Sequence, residues 1–279
     1  MTVTARPPWP TAVDDTLRAR HGAPLATLPL GGMSGARVYR VRFATASAIV
    51  KAVTRPAEVG FFERVAGTLR RHGVPVPDLD RSLATDDGQW LILEDVPHPL
   101  PRARWRADPD VLAVLARLHA ATWGRPLDLP GAFVPAWTDE ATAAALACFP
   151  GASARALASP LAELQQESQD LFRPLCSISG DPNPTNWGLR ADGTVVLYDW
   201  ERFGVGTPPI DLAITVPGLG DHAAYAAVAS GYLRGWPNDS PPWPGRRSDG
   251  RAPSPSRSCG ASSSSSVRTF AGLAATRAV

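Results

Sequence analysis

Residues 179–201, SGDPNPTNWGLRADGTVVLYDWE, constrain this chain more than any other stretch. Two prolines stand between Asp181 and Asn186, so that segment continues neither a helix nor a strand. Strand-like runs then flank Asp192-Gly193, a dipeptide favoured in two-residue β-hairpin turns. With Ala191 and Thr194 at the edges of that turn, Asn186 falls opposite Asp199. Directly paired residues of an antiparallel hairpin have Cα atoms only about 4.5–5.5 Å apart. The DPNP bend returns Asp181 to the same mouth, so three oxygen-bearing side chains converge on one small volume. Asn186 and Asp199 are hard oxygen donors of the kind Mg2+ prefers.

The residues ahead of this segment divide by periodicity. After a short helix near 12–21, LPLGGMSGARVYRVRFATASAIVKAV (28–53) reads as strand, glycine turn, strand, turn, strand. Tyr39, Val41 and Phe43 alternate with Val38, Arg40 and Arg42, and Lys51 shares a face with Ile49 and Val53. From Pro56 to His72, Val59, Phe62, Val65 and Leu69 recur at three- and four-residue steps, which predicts one helix with Glu58 at the head of its apolar stripe. VPVPDL (74–79) and QWLILEDV (89–96) predict two further strands, and the prolines of PHPLPRARW mark a hinge. Beyond it Asp108-Pro109 is an N-cap and N1 pair for a helix through His119, with more helices expected over 137–148 and 152–173. A β-rich first third followed by a helical remainder is an α+β protein in two lobes.

Composition narrows the function classes. Residues 237–279 hold six arginines against two aspartates, leaving 22 basic and 24 acidic residues in 1–236, so the folded part carries no nucleic-acid footprint. The same 43 residues contain 20 Pro, Gly or Ser, too few apolar groups for a core, and are expected to be disordered. The chain therefore divides into 1–96, 97–236 and 237–279. Three widely spaced cysteines fit neither a disulfide framework nor a paired metal site, and no apolar run is long enough for a leader or a membrane span, so a cytoplasmic protein without membrane or obligate protein partner is expected. Lys51 is the only lysine among 28 basic residues. A phosphate clamp in a tight cleft favours such a compact ammonium.

Together, SGDPNPTN (179–186), VVLYDWE (195–201) and GTPPIDLA (206–213) resemble the aminoglycoside phosphotransferase family of kinase-like small-molecule phosphotransferases, over roughly residues 26–236. The resemblance implies a bilobal protein-kinase-like fold: a small β-rich N-lobe with one helix, then a mostly helical C-lobe. It implies Asp181 as catalytic base, Asn186 and Asp199 as Mg2+ ligands, and Asp211 as a buried acid bracing the catalytic loop, with Ser179 standing where the family usually has histidine. Lys51 and its helix partner Glu58 would hold the phosphates of ATP or GTP, the backbone of Gly32 and Ser34 would cover them, and Glu94 to Val96 would meet the base through their backbone. Only twelve positions separate Asp199 from Asp211, which leaves no room for a peptide-docking segment and favours a small hydroxylated acceptor: an antibiotic, amino alcohol or sugar. Two other readings stay open. One is a nucleotide-binding pseudoenzyme or truncated remnant; the other is an interaction protein with an accidental D-x-x-x-x-N match.

Overall fold

The computed structural model describes residues 7–31 and 35–240. Gly32, Ser34 and nearly all of the expected tail, 241–279, lie outside the described residues. Helix α1 (Thr11–His21) leads into strands β1 (Ala26–Leu30), β2 (Val38–Arg42) and β3 (Ser47–Ala52). Helices α2 (Pro56–Gly60) and α3 (Ala66–Arg71) follow, joined by a π-helical turn at Phe61–Val65. Strands β4 (Leu79–Thr85) and β5 (Gly88–Glu94) complete an antiparallel sheet of order β1-β2-β3-β5-β4.

Strand alternation gives this sheet two different faces. Val41, Ala48, Val50, Trp90 and Ile92 pack under Val13 and Leu17 of α1 in an outer core. Leu91 and Leu93 join Phe61, Phe62, Val65 and Leu69 in a larger core that continues into the helical lobe. Lys51 lies on this inner face beside Ile49 and Val53, and is itself buried.

Two expectations are corrected here. The stripe from Pro56 to Leu69 is one apolar face, but the helix widens into a π turn at 61–65, which lets the adjacent Phe61 and Phe62 both be buried. VPVPDL is not a strand: β4 begins at Leu79 and its hairpin turns at Asp86–Asp87, because two prolines deny residues 74–78 ladder donors.

The expected hinge is stitched down rather than loose. His98–Pro99 forms β6, antiparallel to β8 (Trp187–Leu189), which in turn pairs with β9 (Val195–Leu197). The helical lobe contains α4 (Pro109–Ala121), α5 (Asp139–Ala147) and α6 (Gly151–Glu167), then β7 (Cys176–Ile178), β10 (Gly204–Gly206), α7 (Pro208–Ile214) and α8 (His222–Gly235). Asp108 caps α4 by accepting from Asp110 N and Val111 N, and Arg104 holds its carboxylate at 2.6 Å. No helix among the described residues is long and apolar enough to cross a membrane.

Candidate active site

The β8–β9 hairpin sits one residue out of the expected register. Trp187 pairs with Leu197, and Tyr198 N donates to Asn186 O at 3.1 Å, so Asn186 faces Tyr198 and not Asp199. The cause is the turn: Gly193 takes a left-handed φ of +85° and Arg190 N donates to Thr194 O, making a three-residue loop of Ala191, Asp192 and Gly193. Asp199 lies just past β9, where the chain has left the ladder.

Lys51 is the hub of the cleft. Its Nζ donates to Glu58 Oε1 at 2.6 Å and to Asp199 Oδ1 at 3.1 Å, joining β3, α2 and the segment after β9. Burial works against the ammonium, but the two carboxylates outweigh it and raise its pKa above the ordinary value. For Glu58 the balance is reversed: burial pushes its carboxyl up to about 7, more than Lys51 pulls it down. Between its ordinary 4.5 and about 7 the folded protein therefore holds a proton that the unfolded chain has released. The contribution of Glu58 to stability is thus fully present below about 4.5 and is lost as pH rises through about 7. Thermal denaturation of nucleotide-free protein between pH 5 and 8 is expected to show a falling Tm, and Glu58→Gln to flatten that fall.

Asn186 ends the 3-10 turn Pro184–Asn186, and its Nδ2 donates to the Asp181 carbonyl at 2.9 Å. That bond sets the amide orientation and leaves Oδ1 as the acceptor still on offer. Asp199 keeps Oδ2 beside the Oδ1 that takes Lys51. An amide oxygen and a carboxylate oxygen are hard donors of the kind that could hold a small divalent cation. Among the described residues no three His, Cys, Asp or Glu side chains cluster as a metal site.

The loop bearing Asp181 is braced from below. Asp211, fully buried on α7, accepts from Ser179 N at 2.8 Å and Gly180 N at 2.9 Å, and its Oδ2 lies 3.0 Å from His119 Nε2. The other ring nitrogen of His119 meets the Tyr232 hydroxyl at 3.0 Å. Ser179 contributes through its backbone; its hydroxyl is buried without a partner. Gly180 has φ +77°, and a Cβ there would stand 2.2 Å from Arg202 O. Gly180→Ala is therefore expected to cost about 3 kcal/mol in urea denaturation, from backbone strain and overpacking together.

Several participants carried no sequence signal. Trp200 is buried and stacks on Phe61 at 4.5 Å, with Phe203 also 4.9 Å from Phe61, so the π turn packs directly on the segment after Asp199. A Cβ on Gly204 would overlap Phe133 O at 1.9 Å, pinning the same segment from the other side. Glu94 commits its carboxylate to a two-pronged pair with Arg190, Nε to Oε1 at 2.6 Å and Nη2 to Oε2 at 2.8 Å. That pair lowers the Glu94 pKa in spite of its partial burial. Glu201 reaches Thr54 Oγ1 at 3.3 Å, spanning the two lobes.

Three comparisons bear on this arrangement. At the level of curated protein sequences the chain has no match. Among solved structures, an aminoglycoside-3'-phosphotransferase of type VIII is 26% identical, with 96% of this chain and 99% of that one covered at a TM-score of 0.54. The choline kinase LicA from Streptococcus pneumoniae is 17% identical, covering 83% and 82% at a TM-score of 0.55. A spectinomycin phosphotransferase crystallised with ADP and spectinomycin is 13% identical, covering 81% and 80% at 0.54, and like LicA speaks to the fold alone. The model of the phosphotransferase enzyme family matches residues 26–247, a span that takes in the sheet, the Lys51 cleft, the Asp181 loop and its Asp211 brace. The chain belongs to the phosphotransferase enzyme family.

Proposed function

We propose that this protein is a magnesium-dependent kinase that moves the γ-phosphoryl group of a purine nucleoside triphosphate, ATP in the first instance, to a hydroxyl of a small molecule. The observation that carries the reading is the Lys51 ammonium held between Glu58 Oε1 at 2.6 Å and Asp199 Oδ1 at 3.1 Å, beside an Asp181–Asn186 loop. Phosphoryl transfer asks the protein mainly for positioning and charge neutralisation, and these residues supply both.

In this reading residues 1–96 form the nucleotide lobe and 97–236 the catalytic and acceptor lobe. Lys51 exchanges Asp199 for the nucleotide phosphates while Glu58 keeps it in place. Asn186 Oδ1 and Asp199 would hold Mg2+, which when bound would neutralise the phosphates. Asp181 orients the acceptor hydroxyl and takes its proton as the new O–P bond forms and the bond to the departing diphosphate breaks. Asp211 keeps that loop in place through the amides of Ser179 and Gly180. The acceptor is a small hydroxylated molecule, because the short, pinned segment from Asp199 to Asp211 offers no peptide platform. The site needs neither nucleic acid nor a membrane, and a cytoplasmic location fits its demand for nucleotide.

One feature favours a second reading, a nucleotide-binding pseudoenzyme: the buried hydroxyl of Ser179 makes no hydrogen bond to the loop it belongs to. Thermal shift with Mg-ATP separates the alternatives. Stabilisation by several degrees that needs Mg2+ and is lost in Asp199→Ala supports nucleotide binding at this cleft, and its absence sinks both readings. A hydroxylated-metabolite and antibiotic screen that yields product, abolished in Asp181→Ala, leaves the kinase alone.

A further inference from the structure

The β2 strand places a cation at the far end of the cleft from Lys51. Arg40 pairs across the ladder with Ile49, as Val38 pairs with Lys51, so Arg40 and Val38 share the sheet face that looks into the cleft. Its guanidinium spans to the chain segment that links β5 to β6. Nε lies 2.9 Å from Asp95 Oδ2 and 3.0 Å from Oδ1, and Nη2 donates to Val96 O at 3.4 Å. The pair is enclosed: the Asp95 side chain is 4% exposed and that of Arg40 24%.

Val96 is immobilised from below. Gly188 has no side chain, and a Cβ there would come within 2.7 Å of Val96 Cγ1 and 2.9 Å of His98 O, so the β8 backbone lies directly against this segment. Val96 itself is only 7% exposed. Among the described residues its N–H has no hydrogen-bond acceptor, whereas its carbonyl already accepts from Arg40. A ligand that offers an acceptor to this N–H gives it a hydrogen bond that no protein group supplies.

We propose that Arg40 is a base-selecting residue: by occupying the Val96 carbonyl it makes the nucleotide cleft accept adenine and reject guanine. The inference rests on the kinase reading above. Adenine presents an unprotonated N1, which satisfies the Val96 N–H and asks nothing of the carbonyl beside it. Guanine carries a proton on N1, so along the same edge only its O6 can accept from that N–H. In that pose its N1–H and 2-amino donors are turned toward the Val96 carbonyl, against the cationic guanidinium of Arg40 that Asp95 holds there. Discrimination of this kind comes from an unpaired polar group in a closed site, the situation in which binding sites separate near-identical ligands best.

Calorimetric titration of the full chain with Mg-ATP and with Mg-GTP tests this without relying on turnover. The unmodified protein is expected to bind ATP at least about tenfold more tightly than GTP. In Arg40→Met the two affinities are expected to fall within about threefold of each other, chiefly through tighter GTP binding. Because that variant leaves Asp95 buried without its partner, Arg40→Met/Asp95→Asn is measured alongside and is expected to behave the same way. An ATP-to-GTP ratio unchanged in both variants, or an unmodified protein that binds GTP as tightly as ATP, overturns the inference while leaving the kinase reading standing. Failure of the unmodified protein to bind either nucleotide overturns both.

Discussion

Asp181→Asn is expected to lower kcat by about 10³-fold with an active acceptor, while the Kd for Mg-ATP changes by less than about threefold. Asparagine keeps the shape of the side chain and leaves intact the Asp181 carbonyl that accepts from Asn186. What it removes is a carboxylate able to take the proton of the attacking hydroxyl. Parallel single-turnover and calorimetric measurements check the split. A variant that loses nucleotide affinity and rate together would mean that Asp181 belongs to the binding apparatus, and one that keeps full rate would remove it from the chemistry.

The largest effect on the folded state is expected at Asp211. Asp211→Ala strands three buried donors at once, the amides of Ser179 and Gly180 and the ring of His119, in a site with no solvent to replace the lost carboxylate. Each such group costs about 1–3 kcal/mol, so a loss of about 4 kcal/mol in chemical denaturation is expected, accompanied by a fall in kcat even where the protein stays folded. Asp211→Asn retains two acceptor positions' worth of shape but only one oxygen, and is expected to fall between the two. A stability loss below about 1 kcal/mol for Asp211→Ala would show that the loop is held by other means.

The parts of this molecule that could be read from the sequence are those governed by local rules. The Asp108 cap, the β1–β3 meander and the helix stripe from Pro56 follow from capping, alternation and periodicity, and each is found in the structure. The hairpin register failed by one residue because Asp192-Gly193 serves two turn types, and only the left-handed Gly193 within a three-residue loop distinguishes them. Contacts between segments far apart in the chain left no trace in spacing. Arg190 reaching Glu94, Arg40 reaching Asp95 and Trp200 stacking on Phe61 are each ordinary residues until the fold sets them side by side. His119 shows the same limit from the other direction: its apolar helix marks it as a packed residue, which it is, but not as the prop for Asp211.

Two missing side chains hold the stretch that follows Asp199. Where Gly180 meets Arg202 and Gly204 meets Phe133, backbone touches backbone with no slack on either side. A ribbon wedged at two points leaves no room for even one methyl group at either, so both positions admit glycine alone.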